Sequence, residues 1–491
     1  MLAPEFVPKY ALLKAFKGGS MRKFLIMVVA LLLALPAMSF AGSATSQWDL
    51  TIGGYVKVDA GYSTQGIGGG DNVTSQGLDT YYAQRNNYHG AENSANSSGS
   101  FAMATGQTAL NFLVKGPDAW GAKTSAFVQG SFTGQTNNDS ATQSHGTRYG
   151  TFTLTHAYMD FTWASTKLVV GQTWQLWGFQ PSYTFLGLND LALEGRGSTV
   201  PQISVTQNLS KSFYGSFGIQ EPYKMTDQLG VSNSTGEALQ TTTTVKGVPT
   251  LTSNTPSVSS QLPDFAGEIG YKSDSCGRIG PNVMQFALGG FYGEDSVVYP
   301  LPATFRTDHV DRWATALKAF VPIIPEKNLN KAGALSLSGS VYTGQNLSNW
   351  FLNARGTGSL LAYDANPGPG VNYKVPVTTG GWGQVSYYIT DKVYVNGLYG
   401  YLKNNTSSMY NLLNGNNIIT QNQQYIANVI YDVTPAVRVG LEYSYIATHW
   451  AGPASAASVA VTDSASNVTG GPILGSRGDV QIGRVSFTYF F

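Results

Sequence analysis

From Trp48 to the final Phe491 the chain alternates apolar and polar residues with a period of two. In the first segment Leu50, Ile52, Val56, Val58, Ala60 and Tyr62 take one phase, and Thr51, Tyr55, Lys57 and Asp59 lie between them. Val437, Val439, Leu441, Tyr443 and Tyr445 alternate with Arg438, Gly440, Glu442 and Ser444. At the end Val485, Phe487, Tyr489 and Phe491 alternate with Arg484, Ser486 and Thr488. Successive side chains of an extended strand point to opposite faces, so this is the strand period. The apolar set of Val, Ile, Leu, Phe and Tyr suits strands, and no long amphipathic helix competes with it.

The segments often reach roughly 10–13 residues, longer than the usual 5–6 of a globular sheet but right for a tilted strand crossing a membrane. The polar connections alternate strictly between short and long. Short turns fall near 115–121, 164–166, 208–210, 273–281, 322–330, 390–392 and 434–436. Stretches rich in Ser, Thr, Asn and Gly run over about 64–105, 135–149, 178–198, 221–262, 295–308, 345–380, 404–422 and 449–477. Seven turns join fourteen strands, and the first and last segments, about 48–63 and 478–491, bring the count to sixteen. Eighteen stays open, because 221–262 or 345–380 has room for one more hairpin.

The predicted fold is therefore all-β: a closed antiparallel transmembrane β-barrel with short periplasmic turns and long extracellular loops. In hydrocarbon every backbone N–H and C=O needs an internal partner, so the sheet must close on itself. Sixteen strands leave an aqueous channel, whereas eight fill with side chains.

Composition agrees. Only 12% of the 491 residues are charged, aromatics make up another 12%, and Gly numbers 57. A surface this poor in charge suits lipid better than water. The single Cys276 excludes a disulfide scaffold, a Cys-based zinc module and an iron–sulfur protein. The formal charge of +1 gives no basis for a nucleic-acid partner.

One long apolar run exists, Phe24 to Leu35. Arg22 and Lys23 precede it, and Ser39 and Ala41 occupy the −3 and −1 positions of a cut after Ala41; Ala44 offers a second cleavage site. Too short to span a bilayer, the run reads as a secretory signal over 21–41. Lys17-Gly18-Gly19-Ser20 can be encoded by a purine-rich stretch resembling a bacterial ribosome-binding site, so residues 1–20 read as a leader upstream of a true start at Met21. Removing 1–41, with its five basic residues and one acid, leaves a barrel chain of 42–491 with 24 basic and 27 acidic residues.

Several stretches resemble the trimeric porins of Gram-negative outer membranes, including the dicarboxylate-type channels. They are Gly53 through Ser63, His156-Ala157-Tyr158-Met159-Asp160, Val170-Gly171-Gln172-Thr173-Trp174, Gln220-Glu221-Pro222, and the closing Phe487, Tyr489 and Phe491. The resemblance covers the first 180 residues after the cut and the last strand, and is weak between about 230 and 380. Two departures stand out: no helical extension precedes the first strand, and Thr155 stands where an Arg often precedes the His-Ala-Tyr motif. The resemblance implies passive diffusion of small hydrophilic solutes and ions, a homotrimer, outer-membrane lipid around it, no cofactor, and a C-terminal strand read by the barrel assembly machinery. It also implies that the loop after the fifth strand, 178–198, folds into the lumen and narrows it, carrying Asp190, Glu194 and Arg196.

The alternation turns further charges inward: Lys57 and Asp59 from the first strand, Glu268 from the eighth, Arg312 and Lys318 from the tenth, Arg438 and Glu442 from the fifteenth, and Arg484 from the sixteenth. On closure Lys57, Arg438 and Arg484 share one wall. They form a basic strip opposite an acidic loop, or else pair with Asp59 and Glu442 along the wall; the sign of selectivity stays open. The fourth and fifth strands show no clean phase, which would suit packing against neighbouring subunits.

The five histidines, His89, His145, His156, His309 and His449, are scattered without metal-ligand spacing. There is no Gly-x-Ser-x-Gly, P-loop or H-E-x-x-H motif, and Gly66 to Gly70 opens no helix. Cys276 falls in a short turn as an incidental thiol. An outer-membrane barrel enzyme needs a Ser, His and acid that converge, and none do in this topology. A structural or conduit barrel housing a partner needs a wider lumen and no inward loop. No plug domain precedes the first strand, which disfavours a plugged receptor.

Overall fold

The computed structural model describes residues 48–64, 99–134, 151–177, 199–222, 262–300, 305–345, 376–406, 418–452 and 473–491. It also describes short pieces at 67–68, 82–83, 85, 186, 242–245, 248–251, 257–260, 347, 454–455, 461–462 and 468–469. The leader, the signal segment, Asp190, Glu194 and Arg196, and His89 and His145 lie outside the described residues.

Sixteen strands form one closed antiparallel sheet. They are β1 (Asp49–Ser63), β2 (Ser100–Ala104 and Ala109–Lys115), β3 (Lys123–Gly134), β4 (Thr151–Thr162), β5 (Thr166–Trp174) and β6 (Thr199–Asn208). Next come β7 (Phe213–Gln220), β8 (Asp264–Ile279), β9 (Asn282–Pro300), β10 (Phe305–Ile324) and β11 (Leu335–Gln345). The ring ends with β12 (Val377–Tyr388), β13 (Val393–Asn405), β14 (Ile419–Thr434), β15 (Val437–Trp450) and β16 (Arg477–Phe490). Closure runs through β1 and β16 in continuous register from Tyr55↔Phe490 to Ser63↔Ile482. Gly54 and Phe491 exchange two backbone hydrogen bonds of 3.1 Å at the seam, so the last residue is part of the ring.

The 16-or-18 question resolves at sixteen. The room in 221–262 holds a small hairpin, Thr242–Val245 with Val248–Leu251, but it stands apart from the barrel sheet. The Ser257–Ser259 segment extends the ladder along β9 as an additional short strand. Two expectations need correction. The long loop at 295–308 is mostly strand: β9 and β10 stay paired out to Pro300↔Phe305, because alternation and pairing partners both continue. Cys276 lies inside β8, within the register shift between Ser273 and Arg278, and the turn proper is 280–281.

The apolar phase faces out. Ile269 is 67% exposed and Leu441 60%, while their strand neighbours Glu268 and Glu442 are buried against the inner wall. Phe487, Tyr489 and Phe491 all point outward at the short-turn rim, where an aromatic girdle meets the interface. The missing phase of β4 has a local cause. Gln129 of β3 pairs with His156 but Gly130 pairs with Leu154, leaving Thr155 as a bulge. One extra residue flips the side-chain phase. Hence Phe152 and Leu154 are exposed before it and Met159 after it, with His156 buried between.

Candidate functional site

The charged residues of the inner wall fall into three groups. The first lies on β15, β16 and β1. Arg438 and Lys57 flank Thr488 in one row, and Glu442 stands opposite Arg484 in another. Lys57 Nζ bonds both Asp59 and the Gln107 amide oxygen, all buried. Arg438 Nε lies 2.6 Å from Asp432 Oδ1, and its guanidinium stacks 5.5 Å over the Phe490 ring. Lys57, Arg438 and Arg484 thus come together on one wall, Lys57 bonded to Asp59, Arg438 to Asp432, and Arg484 opposite Glu442 in the strand register.

The second group spans β8 to β10 near the long-loop end. The Arg312 guanidinium donates to both oxygens of Asp264, at 2.8 and 3.3 Å, and its Nε lies 3.2 Å from Asp295. Arg312 is 1% exposed, and Asp264 and Asp295 are fully buried. The intervening β9 residue must be glycine: a Cβ on Gly293 would lie 1.9 Å from Asp264 Oδ1.

The third group lies on the same strands nearer the short turns. Lys318 Nζ is 2.6 Å from Glu268 Oε2, and the Tyr214 hydroxyl donates to Glu268 Oε1 at 2.7 Å. Ala287 and Gly289 of β9 leave the path between them clear. Lys272 shares the inward phase of Glu268 and sits 5.1 Å over the Tyr214 ring. It is solvent-exposed, and among the described residues it forms no ion pair. Lys272 was not among the expected pore residues. The phase that turns Glu268 inward also contains Lys272, two alternations further along β8.

Apolar side chains also enter the lumen, which the alternation did not anticipate. Trp177, just past β5, is fully buried and stacks 4.8 Å from Phe291 on the inner wall. Leu347 joins the same cluster with Ala266, Ala314, Tyr342 and Leu402. Tyr82 meets Trp450 edge-on at 5.6 Å, the Ala83 N–H donates to Thr448 Oγ1 at 2.9 Å, and Arg85 stacks over the Trp450 ring at 4.5 Å. Leu186, in the connection between β5 and β6, packs with Tyr394 and Ile430 and donates its N–H to Glu442 Oε2 at 3.0 Å. Gly440 makes the room: a Cβ there would lie 2.4 Å from Leu186 Cδ2. Residues from three connections therefore pack against the inner wall.

His156 is enclosed by Phe127, Tyr158 and Trp174, with Thr173 Oγ1 3.1 Å from Nδ1. Among the described residues no group of His, Cys, Asp or Glu is placed to hold a metal ion.

A closed ring of sixteen strands, apolar outside and charged inside, defines a multi-pass membrane-spanning β-barrel. The fold is similar to that of the outer membrane channel DcaP of Acinetobacter baumannii, with a TM-score of 0.61 and 15% identity over 91% of this chain and 99% of that one. The chain also matches the anion-selective porin from Comamonas acidovorans (TM-score 0.46, 10% identity, 91% and 100% covered). Pseudomonas putida OprB matches at a TM-score of 0.46 and 11% identity, with 90% and 94% covered. No family model and no curated protein sequence matches the chain.

Proposed function

We propose that this chain is an outer-membrane porin, a water-filled channel for passive diffusion of small hydrophilic solutes and ions, narrowed by the connection after β5. On this reading it is exported by the signal at 21–41, is inserted by the barrel assembly machinery that reads its C-terminal strand, forms a homotrimer, and performs no catalysis. The observation that carries it is Leu186. β5 and β15 stand far apart around the ring, yet Leu186 is held against Tyr394, Ile430 and Glu442, near the short-turn end of β13 to β15. Leu186 follows β5 in the chain, and its place on that inner wall supports a connection that enters the lumen. Acids at Asp190 and Glu194 would then face Arg484, Arg438 and Lys57, and the transverse field would orient dipolar solutes and bias ions. The apolar contacts of Trp177, Tyr82 and Leu186 inside the barrel argue against a conduit that houses a protein partner.

Planar-bilayer recording of the purified protein tests this. Ohmic openings in steps of three are expected, and silence overturns the reading. Replacing Asp190 with Asn and Glu194 with Gln together is expected to move the reversal potential in a KCl gradient toward anions. An unchanged potential rejects the narrowing role of those acids.

A further inference from the structure

The outer wall over β10 to β13 departs from the rest of the apolar belt. The register aligns Ala319, Gly339 and Gly383 in one outward row, closed on one side by Phe286 and on the other by Tyr399. Three adjacent positions that present at most a methyl group make a trough in a surface otherwise built of Leu, Val, Phe and Tyr. A Cβ on Gly383 would meet nothing within 4 Å, so the space is open. Leu317 and Val341, both about half exposed, make the next row with Gly381, and the groove over Leu317, Val341, Gly381, Gly383 and Tyr399 measures about 670 Å³. That lies within the ~300–1,000 Å³ typical of small-molecule sites. Tyr399, Tyr425 and Tyr445 form a ring ladder at 4.9 and 6.1 Å that walls off the side toward β15.

The row beyond Leu317, Val341 and Gly381 toward the long loops changes character. Thr315, Thr343, Thr379 and Lys403 align across β10 to β13. The Thr343 and Thr379 hydroxyls are 3.0 Å apart. Lys403 is exposed, and among the described residues it makes no ion pair. The outward carboxylates of β9 and β10, Glu294 and Asp311, are engaged by His309 and by the Tyr292 hydroxyl. An ammonium beside a row of hydroxyls, directly above an apolar trough, matches an amphiphile with acyl chains below and a phosphorylated, hydroxyl-rich head above.

We infer that this face seats a phosphorylated glycolipid of the outer leaflet, its acyl chain in the trough over Gly381 and Gly383 and its phosphate on Lys403. The leaflet follows from the position of Lys403 at the long-loop, extracellular end. The site is separate from the lumen and does not depend on how the channel is used.

Native mass spectrometry of the detergent-solubilised full chain, titrated with lipid A, phosphatidylglycerol or phosphatidylethanolamine, tests it. Lipid A adducts are expected on the wild type, at least tenfold weaker on Lys403→Gln and absent on Gly383→Leu, which fills the trough. Heat-modifiable gel migration confirms that both variants remain folded, and their conductance is expected to match wild type. Equal retention of phosphatidylglycerol and lipid A overturns the assignment of the head group. Unchanged lipid A binding by both variants overturns the site. Loss of oligomer in Gly383→Leu with lipid A binding intact identifies the trough as a subunit contact and also overturns it.

Discussion

Arg312 and Lys318 stand six residues apart on one strand, in the same inward phase, and both reach over a small β9 residue to a carboxylate on β8. They nevertheless do different things. Arg312 is sealed by two carboxylates with 1% of its surface exposed, so it braces the wall and contributes no free charge to the lumen. Lys318 shares Glu268 with the Tyr214 hydroxyl, and Lys272 adds a second, unpaired ammonium beside them. Among the described residues two cations stand around this carboxylate, and Lys272 is the exposed one. Two basic residues equivalent in phase are thus separated by their count of acidic neighbours: a bidentate guanidinium closes its own cluster, whereas a point-charge ammonium over an aromatic ring leaves its field in the channel.

The largest expected effect comes from Arg312→Met. It strands Asp264 and Asp295 in a buried site, and loss of one partner from a buried ion cluster costs about 3–5 kcal/mol. Urea unfolding of the detergent-solubilised barrel should show that loss, and a midpoint within error of wild type would return Arg312 to the pore-lining set. Gly293→Ala attacks the same cluster from the intervening strand. Its methyl lands on Asp264, and an overpacking penalty of about 1–3 kcal/mol is expected in the same assay. The smallest effect on stability belongs to Lys272→Gln, an exposed position where changes stay within about 0.5 kcal/mol. There the readout is electrical: the reversal potential should move toward cations at low salt. That shift should shrink toward 1 M salt, as the Debye length falls from ~30 Å at 0.01 M to ~3 Å. A shift independent of salt would mean that Lys272 acts through pore shape and not through charge.

The inward placement of Lys57, Asp59, Glu268, Arg312, Lys318, Arg438, Glu442 and Arg484 was legible from phase alone. Which partners Arg312 and Lys318 meet was not, because those partners lie on other strands and the meeting depends on Gly293 and Gly289 at aligned positions. Phase failed in β4, where the bulge at Thr155 breaks the count of two without any residue type announcing it.

A barrel of sixteen or eighteen strands, the facing of those strands with a clean period of two, and the joining of the two chain ends were written in the sequence. They rest on a local rule: alternate side chains must satisfy lipid on one side and water on the other, and every backbone group between must pair. What enters the lumen was decided by tertiary structure. Leu186 and Glu442 are 256 residues apart, and Tyr82 and Ala83 rest on Trp450 and Thr448 at the far end of the chain. Contacts between connections and wall carry no period, since their residues answer to the shape of a cavity that exists only after the ring has closed.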